Sequence, residues 1–106
     1  MKNLGHRLGA SGTILENTVE GLLESLDLVS DRRFKYWEFD VRESSDGVLF
    51  AFHDDCIKIN GKMIETRYLS YDEIYRAGES MTISIPTFQQ IMEVLKDREE
   101  RVMIEI

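Results

Sequence analysis

The sequence predicts an α/β fold, either a layered sheet or part of a barrel, and three observations carry that expectation. Segments with apolar residues at strand spacing alternate with segments whose apolar residues recur at helical spacing. Their order along the 106 residues is β–α–β–β–α–α–β. No internal repeat, low-complexity stretch or Pro/Gly-rich linker interrupts them, so one continuous domain is expected.

Lys2 to His6 is a candidate brief strand, followed by a loop crowded with Gly5, Gly9 and Gly12. Asn17 to Val29 predicts a helix, with Val19, Leu22, Leu23, Leu26 and Val29 on one face. Asn17 followed by Glu20 fits a capping box, and Asp31, Arg32 and Arg33 close the helix. Tyr36 to Val41 alternates strictly: Trp37, Phe39 and Val41 face one way, Tyr36, Glu38 and Asp40 the other. Val48 to His53 is the next strand. Ser44-Ser45-Asp46-Gly47 between them is a hairpin signal, and the link is too short for a helical crossover. An antiparallel hairpin over about 36–53 follows, even if the rest of the sheet is parallel.

Asp54 to Leu69 is expected to be a polar, Gly-containing loop. Ser70-x-x-Glu73 caps a short helix ending near Gly78. Ile85-Pro86 is extended, because the residue before proline avoids the helical region. Thr87-x-x-Gln90 opens another helix with Phe88, Ile91, Met92 and Leu95 on one face. Val102 to Ile106 is the last strand.

Composition narrows the function classes. The hydrophobic content of 42% is that of a globular chain. A net charge of -7, from 20 acidic against 13 basic residues, argues against a nucleic-acid partner, whose binders carry a basic footprint. A phosphate ester stays open as substrate, because a bound cation inverts the local field. Cys56 is the single cysteine, so no internal disulfide forms. Met1 to Gly12 holds no apolar run of signal-peptide length, and no stretch reaches the roughly 20 apolar residues of a membrane span. A soluble, cytoplasmic protein without an integral membrane segment is the expectation.

The acidic residues carry the chemistry. Glu38 and Asp40 stand two apart on a strand and point to one face. Two carboxylates this close repel unless a cation or a proton separates them. An all-oxygen pair suits Mg²⁺ or Ca²⁺; a solvated acidic face on an edge strand gives the same pattern. With the turn at Ser45-Asp46, His53 is expected opposite Glu38. A satisfied polar residue at a strand end is the alternative for His53. Glu105, between Ile104 and Ile106, repeats the arrangement of Glu38. His6-Arg7, beside glycines, supplies a proton carrier and a phosphate fork, or else a solvated loop. Polar residues gathered at strand ends are how α/β barrels build active sites.

The motifs then carry a resemblance. Gly5-His6-Arg7-Leu8-Gly9-Ala10-Ser11-Gly12 followed by Glu16-Asn17-Thr18 resembles the HRG…ENT opening of the glycerophosphodiester phosphodiesterase family. Glu38-Phe39-Asp40-Val41 resembles its E-x-D-V strand, Ser45-Asp46-Gly47 its turn, and His53-Asp54 its HD motif. Ile85-Pro86-Thr87-Phe88 and Ile104-Glu105-Ile106 resemble its I-P-T-L and I-E-I-K segments. The order is the family's. Three departures stand out: Leu8 is extra within His-Arg-Gly, Leu15 replaces the usual proline, and no lysine follows Ile106.

The resemblance implies the N-terminal portion of a TIM (β/α)8 barrel, with an inserted loop after the HD motif. Residues 1–106 would be a partial domain truncated at the C-terminus, since such a barrel takes about 250 residues. It implies a divalent cation, Mg²⁺ or Ca²⁺, held by Glu38, Asp40 and Glu105. His6 and His53 would be the acid–base pair, Arg7 the phosphate contact and Glu16 a supporting residue, while Asn17 caps its helix and Asp54 and Lys58 stay in the loop. The implied reaction is hydrolysis of a small-molecule glycerophosphodiester to glycerol 3-phosphate and an alcohol. Two rivals stand beside it. One is a related phosphodiesterase of the same architecture, such as a sphingomyelinase or phospholipase. The other is a non-catalytic fragment that needs the rest of the barrel and self-associates through exposed edges.

Overall fold

The computed structural model describes residues 3–106. Its spine is β1 (Trp37–Glu43), and the alternation of that segment explains why. Trp37, Phe39 and Val41 are buried on one face. Removing each large side chain from water contributes about 1.5–3 kcal/mol. Antiparallel to β1 runs β2 (Leu49–Ala51), with Val41 opposite Ala51 and Glu43 opposite Leu49. On the other side β5 (Val102–Glu105) runs parallel, with Asp40 beside Glu105. The sheet order is β2-β1-β5, so the expected mixture of one antiparallel hairpin and a parallel neighbour holds.

Two cores flank this sheet. The first joins Leu8, Leu22, Trp37, Phe39, Val41, Ala51, Ile91 and Leu95. It packs α1 (Val19–Glu24) and α3 (Phe88–Leu95) against β1. The second joins Phe50, Ile57, Leu69, Ile74, Ala77 and Ile85. It lies under α2 (Tyr71–Ser80) and a separate hairpin of β3 (Cys56–Ile59) and β4 (Lys62–Glu65). Two of the three predicted capping boxes form: Ser70 with Glu73 opens α2 and Thr87 with Gln90 opens α3, whereas Asn17 with Glu20 does not. Ile85-Pro86 is buried and extended beside β2, where Ala51 N donates to Pro86 O at 3.0 Å.

Four expectations are corrected. The first concerns the brief strand at Lys2–His6. Lys2 lies outside the described residues; Leu4-Gly5 form a turn and His6–Gly9 a 3-10 turn. Asn3 replaces the ladder with its side chain, accepting from Lys35 N and Tyr36 N and donating to Tyr36 O. Gly5 stays close to β1, since a Cβ there would sit 2.0 Å from Tyr36 O.

Second, the helix over 17–29 is shorter. Thr18, not Asn17, is its N-cap, accepting from Gly21 N at 3.0 Å. At Ser25 the chain tightens, its N–H bonding back to Leu22 O, and continues as a 3-10 helix at Leu26–Ser30. Leu23, placed on the apolar face by periodicity, is exposed. Third, 54–69 is not a loop throughout. Asn60-Gly61, both at positive φ, turn the β3–β4 hairpin, and a 3-10 turn follows at Thr66–Tyr68. Lys58 thus lies on β3. Fourth, the 36–53 hairpin is shifted by one residue, which bears on His53 below.

Candidate active site

The carboxylate face of β1 is where the predicted residues meet. Glu38 and Asp40 share it, and the parallel register puts Met103 beside Glu38 and Glu105 beside Asp40 on that face. Glu38 is 8% exposed, so its charge needs partners. Arg7 N donates to Glu38 Oε1 at 3.0 Å, and His6 Nε2 lies 3.8 Å from that oxygen. On its other ring nitrogen His6 meets Ser11: Nδ1 is 2.9 Å from the Ser11 hydroxyl.

These contacts depend on an unusual backbone. Arg7 and Leu8 stand at φ 50 and 63, in the left-handed region that most L-residues avoid. Leu8, the residue extra to the family motif, is fully buried in the first core. Its burial anchors the loop, and the adjoining His6-Arg7 lie against Glu38. The insertion is therefore absorbed by the interior.

Arg7 is the cationic centre. Its Nη1 donates to both oxygens of Glu16, at 3.0 and 2.8 Å, and Gly12 N donates to Glu16 Oε1 as well. Glu16 thus joins the Arg7 side chain to the main chain of Gly12. Arg7 Nε is buried, 4.0 Å from Asp40 Oδ2, and has no hydrogen-bond partner among the described residues. An orphaned buried donor is uncommon and marks a place where a further acceptor fits.

His53 is placed differently from expectation. Gly47, at φ 80, makes the turn a three-residue loop, with Ser44 N bonded to Val48 O at 2.9 Å. The turn centre moves to Asp46, and the pairing puts Phe52 opposite Asp40, where Phe52 N donates to Asp40 O. A one-residue slip exchanges faces, so His53 is not the cross-strand partner of Glu38. It lies just past β2, exposed, with Nδ1 2.9 Å from Asp54 Oδ1. Arg42 Nη2 donates to its carbonyl at 2.5 Å, tying that bend to β1.

Two clefts divide the residues. One, of about 680 Å³, is lined by His6, Ser11, Glu38 and Glu105. The other, of about 380 Å³, is lined by Arg7, Glu16, Asn17, His53 and Asp54. The structure thus brings His6 to Glu38, Arg7 to Glu16 and Asp40, and His53 to the cleft of Arg7. It does not set His6 and His53 in one cleft. Nearby, burial, then the hydrogen bond to Asp55 and the charges of Asp55, Glu65 and Asp54, push the Cys56 thiol up, against thiolate chemistry.

The carboxylates fit a hard divalent cation in kind: all are oxygen donors, and Glu38, Asp40, Glu105 and Glu16 outweigh the single charge of Arg7. Among the described residues, no three His, Cys, Asp or Glu side chains converge closely enough to hold an ion. No helix of the described residues is long and apolar enough to cross a membrane.

Sequence reasoning missed Asn17 as a site residue. It is 2% exposed, at φ 59, and both ends of its amide engage Asp40. The available signal was its type, since asparagine tolerates left-handed backbone better than most residues. Ser11 and Arg42 were missed too, and nothing in their spacing marks them.

An α/β chain with an acidic strand face, met by a His-Arg loop and an Arg–Glu pair, has the features of a phosphoester-binding protein. The glycerophosphoryl diester phosphodiesterase family profile matches residues 6–106, and the chain belongs to that family. A search of curated proteins returned no significant match. Among solved structures, a glycerophosphodiester phosphodiesterase from Agrobacterium tumefaciens is 28% identical, with a TM-score of 0.55 over 77% of this chain and 38% of that one. A phosphodiesterase from Oleispira antarctica, solved with the product sn-glycerol-3-phosphate, is 26% identical, with a TM-score of 0.60 over 90% of this chain and 40% of that one. A Silicibacter pomeroyi protein described as a glycerophosphoryl diester phosphodiesterase is 17% identical, with a TM-score of 0.67 over 98% and 44%, a likeness of fold. The chain spans under half the length of each of these structures.

Proposed function

We propose that this chain carries the N-terminal part of a TIM-barrel glycerophosphodiester phosphodiesterase. In this reading it hydrolyses a glycerophosphodiester to sn-glycerol 3-phosphate and an alcohol. The observation that carries the reading is the convergence of His6, Arg7 and the Glu38–Asp40 face at one place, within a family match over 6–106. The product bound to the Oleispira antarctica relative supports the substrate class.

Arg7 takes a non-bridging phosphate oxygen, using donor capacity that Glu16 leaves free. Glu38, Asp40 and Glu105, which do not converge on one point in this structure, would hold a divalent cation, Mg²⁺ or Ca²⁺. When bound, such a cation would supply Lewis acidity that offsets charge on the phosphate oxygens. One histidine removes a proton from the attacking oxygen as it bonds to phosphorus. That oxygen belongs either to water or to the substrate's neighbouring hydroxyl, and in the latter case water then opens the cyclic phosphate. The other histidine protonates the leaving alkoxide as its P–O bond breaks. His6 suits one role through its Ser11 and Glu38 contacts, and His53 the other through Asp54 and its place in the Arg7 cleft.

The test is release of sn-glycerol 3-phosphate from glycerophosphodiesters that differ in the alcohol, with and without EDTA. Loss of turnover with EDTA and in His53→Ala supports the reading. Turnover unchanged in His53→Ala removes that residue from the mechanism. A second reading, a non-catalytic chain that acts only with a complementary segment, is favoured by the exposed Met103 and Ile104. An active monomer by size-exclusion mass measurement rejects it.

A further inference from the structure

We infer that Asn17 is a positioning residue that sets the Asp40 carboxylate for the cation, an inference that rests on the function proposed above. Three hydrogen bonds define its place. Asn17 N donates to Arg7 O at 2.9 Å, Asn17 Nδ2 donates to Asp40 Oδ2 at 2.9 Å, and Asn17 Oδ1 accepts from Asp40 N at 3.2 Å. One amide therefore grips both the main chain and the carboxylate of a single residue 23 positions away. Such a two-point hold fixes the carboxylate's rotation relative to β1, which a single bond leaves free. It engages Oδ2, and among the described residues no donor engages Oδ1.

Two further facts separate this role from general support of the fold. Capping of α1 belongs to Thr18, so the Asn17 amide is not needed to start the helix. Asn17 also stands at φ 59 while nearly fully buried, a conformation costly to most side chains. The chain adopts it at the point where Arg7 O and Asp40 are both within reach. The same residue thus links the proposed phosphate contact to a proposed cation ligand. Partners that orient a metal-binding carboxylate typically tune affinity about 10–100-fold.

The test is Ca²⁺ and Mg²⁺ titration of the 106-residue chain by calorimetry, for wild type, Asn17→Gly and Ser70→Ala. Glycine keeps the positive φ and removes the clasp. Ser70 caps α2 away from the site and controls for lost stability. Asn17→Gly is expected to bind the cation about 10–100-fold more weakly, with faster hydrogen exchange at Asp40 N, while Ser70→Ala binds as wild type. A measurement without any variant accompanies it. In wild type, the Asn17 side-chain amide resonance should shift on cation addition with the same midpoint as the Asp40 amide. A folded Asn17→Gly with wild-type affinity, or an Asn17 amide indifferent to the cation, overturns the inference and leaves the proposed function standing. A wild-type chain that neither binds cation nor hydrolyses substrate overturns both.

Discussion

The two hydrophobic cores are built by different means. Around the second core the local rules hold with one exception, Thr82 at φ 61 just past α2: Asn60-Gly61 turns a two-stranded hairpin, and Ser70 with Glu73 opens α2. Beneath the first core the chain breaks those rules. Arg7, Leu8 and Asn17 stand at positive φ, and an asparagine side chain does the work of a strand pair beside Tyr36. The candidate site lies on the irregular side. Local conflict is expected where geometry serves a site rather than a scaffold.

Three substitution or titration experiments sharpen or break this contrast. The largest effect is expected at Trp37, fully buried in the first core. Trp37→Ala should cost about 3–5 kcal/mol and take cation affinity with it. Ile74→Ala, in the second core, should cost about 2–5 kcal/mol yet leave activity per folded molecule unchanged. Urea unfolding with activity corrected for the folded fraction decides. A fall in per-molecule activity for Ile74→Ala would break the division.

A smaller effect reverses a familiar order. In α2, Ala77→Gly should destabilise by about 1 kcal/mol, because glycine is the poorer helix former. At Leu8, held at φ 63, the glycine variant should instead be the more stable of Leu8→Gly and Leu8→Ala, by about 1 kcal/mol. Both lose the buried side chain, and glycine alone escapes the left-handed penalty. Equal or inverted stabilities would show that Leu8 is not strained.

The smallest effect is electrostatic. The Arg33 side chain, then the Arg33 N–H, hold the Asp31 carboxyl down at about 2, against an ordinary 3.8. A depressed folded value means the contribution is present above about 3.8 and is lost as pH falls through about 2. The group is exposed, so the change is minor. Asp31→Asn should flatten that part of the stability–pH curve; an unchanged curve would mean that the pair contributes nothing.

What was legible in the sequence follows the same division. Periodicity located β1, α2, α3 and β5, because each has a buried face that needs a regular repeat. The Glu38–Asp40 pair was visible for that reason, since a strand fixes where alternate side chains point. The register of His53 was not, because whether Gly47 joins the turn moves every partner by one residue. Asn17 was misread as a cap because the capping pattern and the clasp to Asp40 ask for the same residue type. The Asn60-Gly61 signal was readable, but the polarity of its surroundings masked two short strands.

Glu16, Asn17 and Thr18 perform three unrelated tasks in three consecutive positions: one holds Arg7, the next Asp40, and the third starts α1. Their order works like a reading frame. Slide the triplet by a single position and each side chain arrives at a neighbour's task, so no two of the three jobs survive together. Upstream, an extra residue costs the arrangement little, because Leu8 disappears into the interior. Tolerance of length therefore changes sharply within ten positions of chain, and a library of single insertions and deletions across residues 5–18 should reveal that boundary before any residue's chemistry is altered.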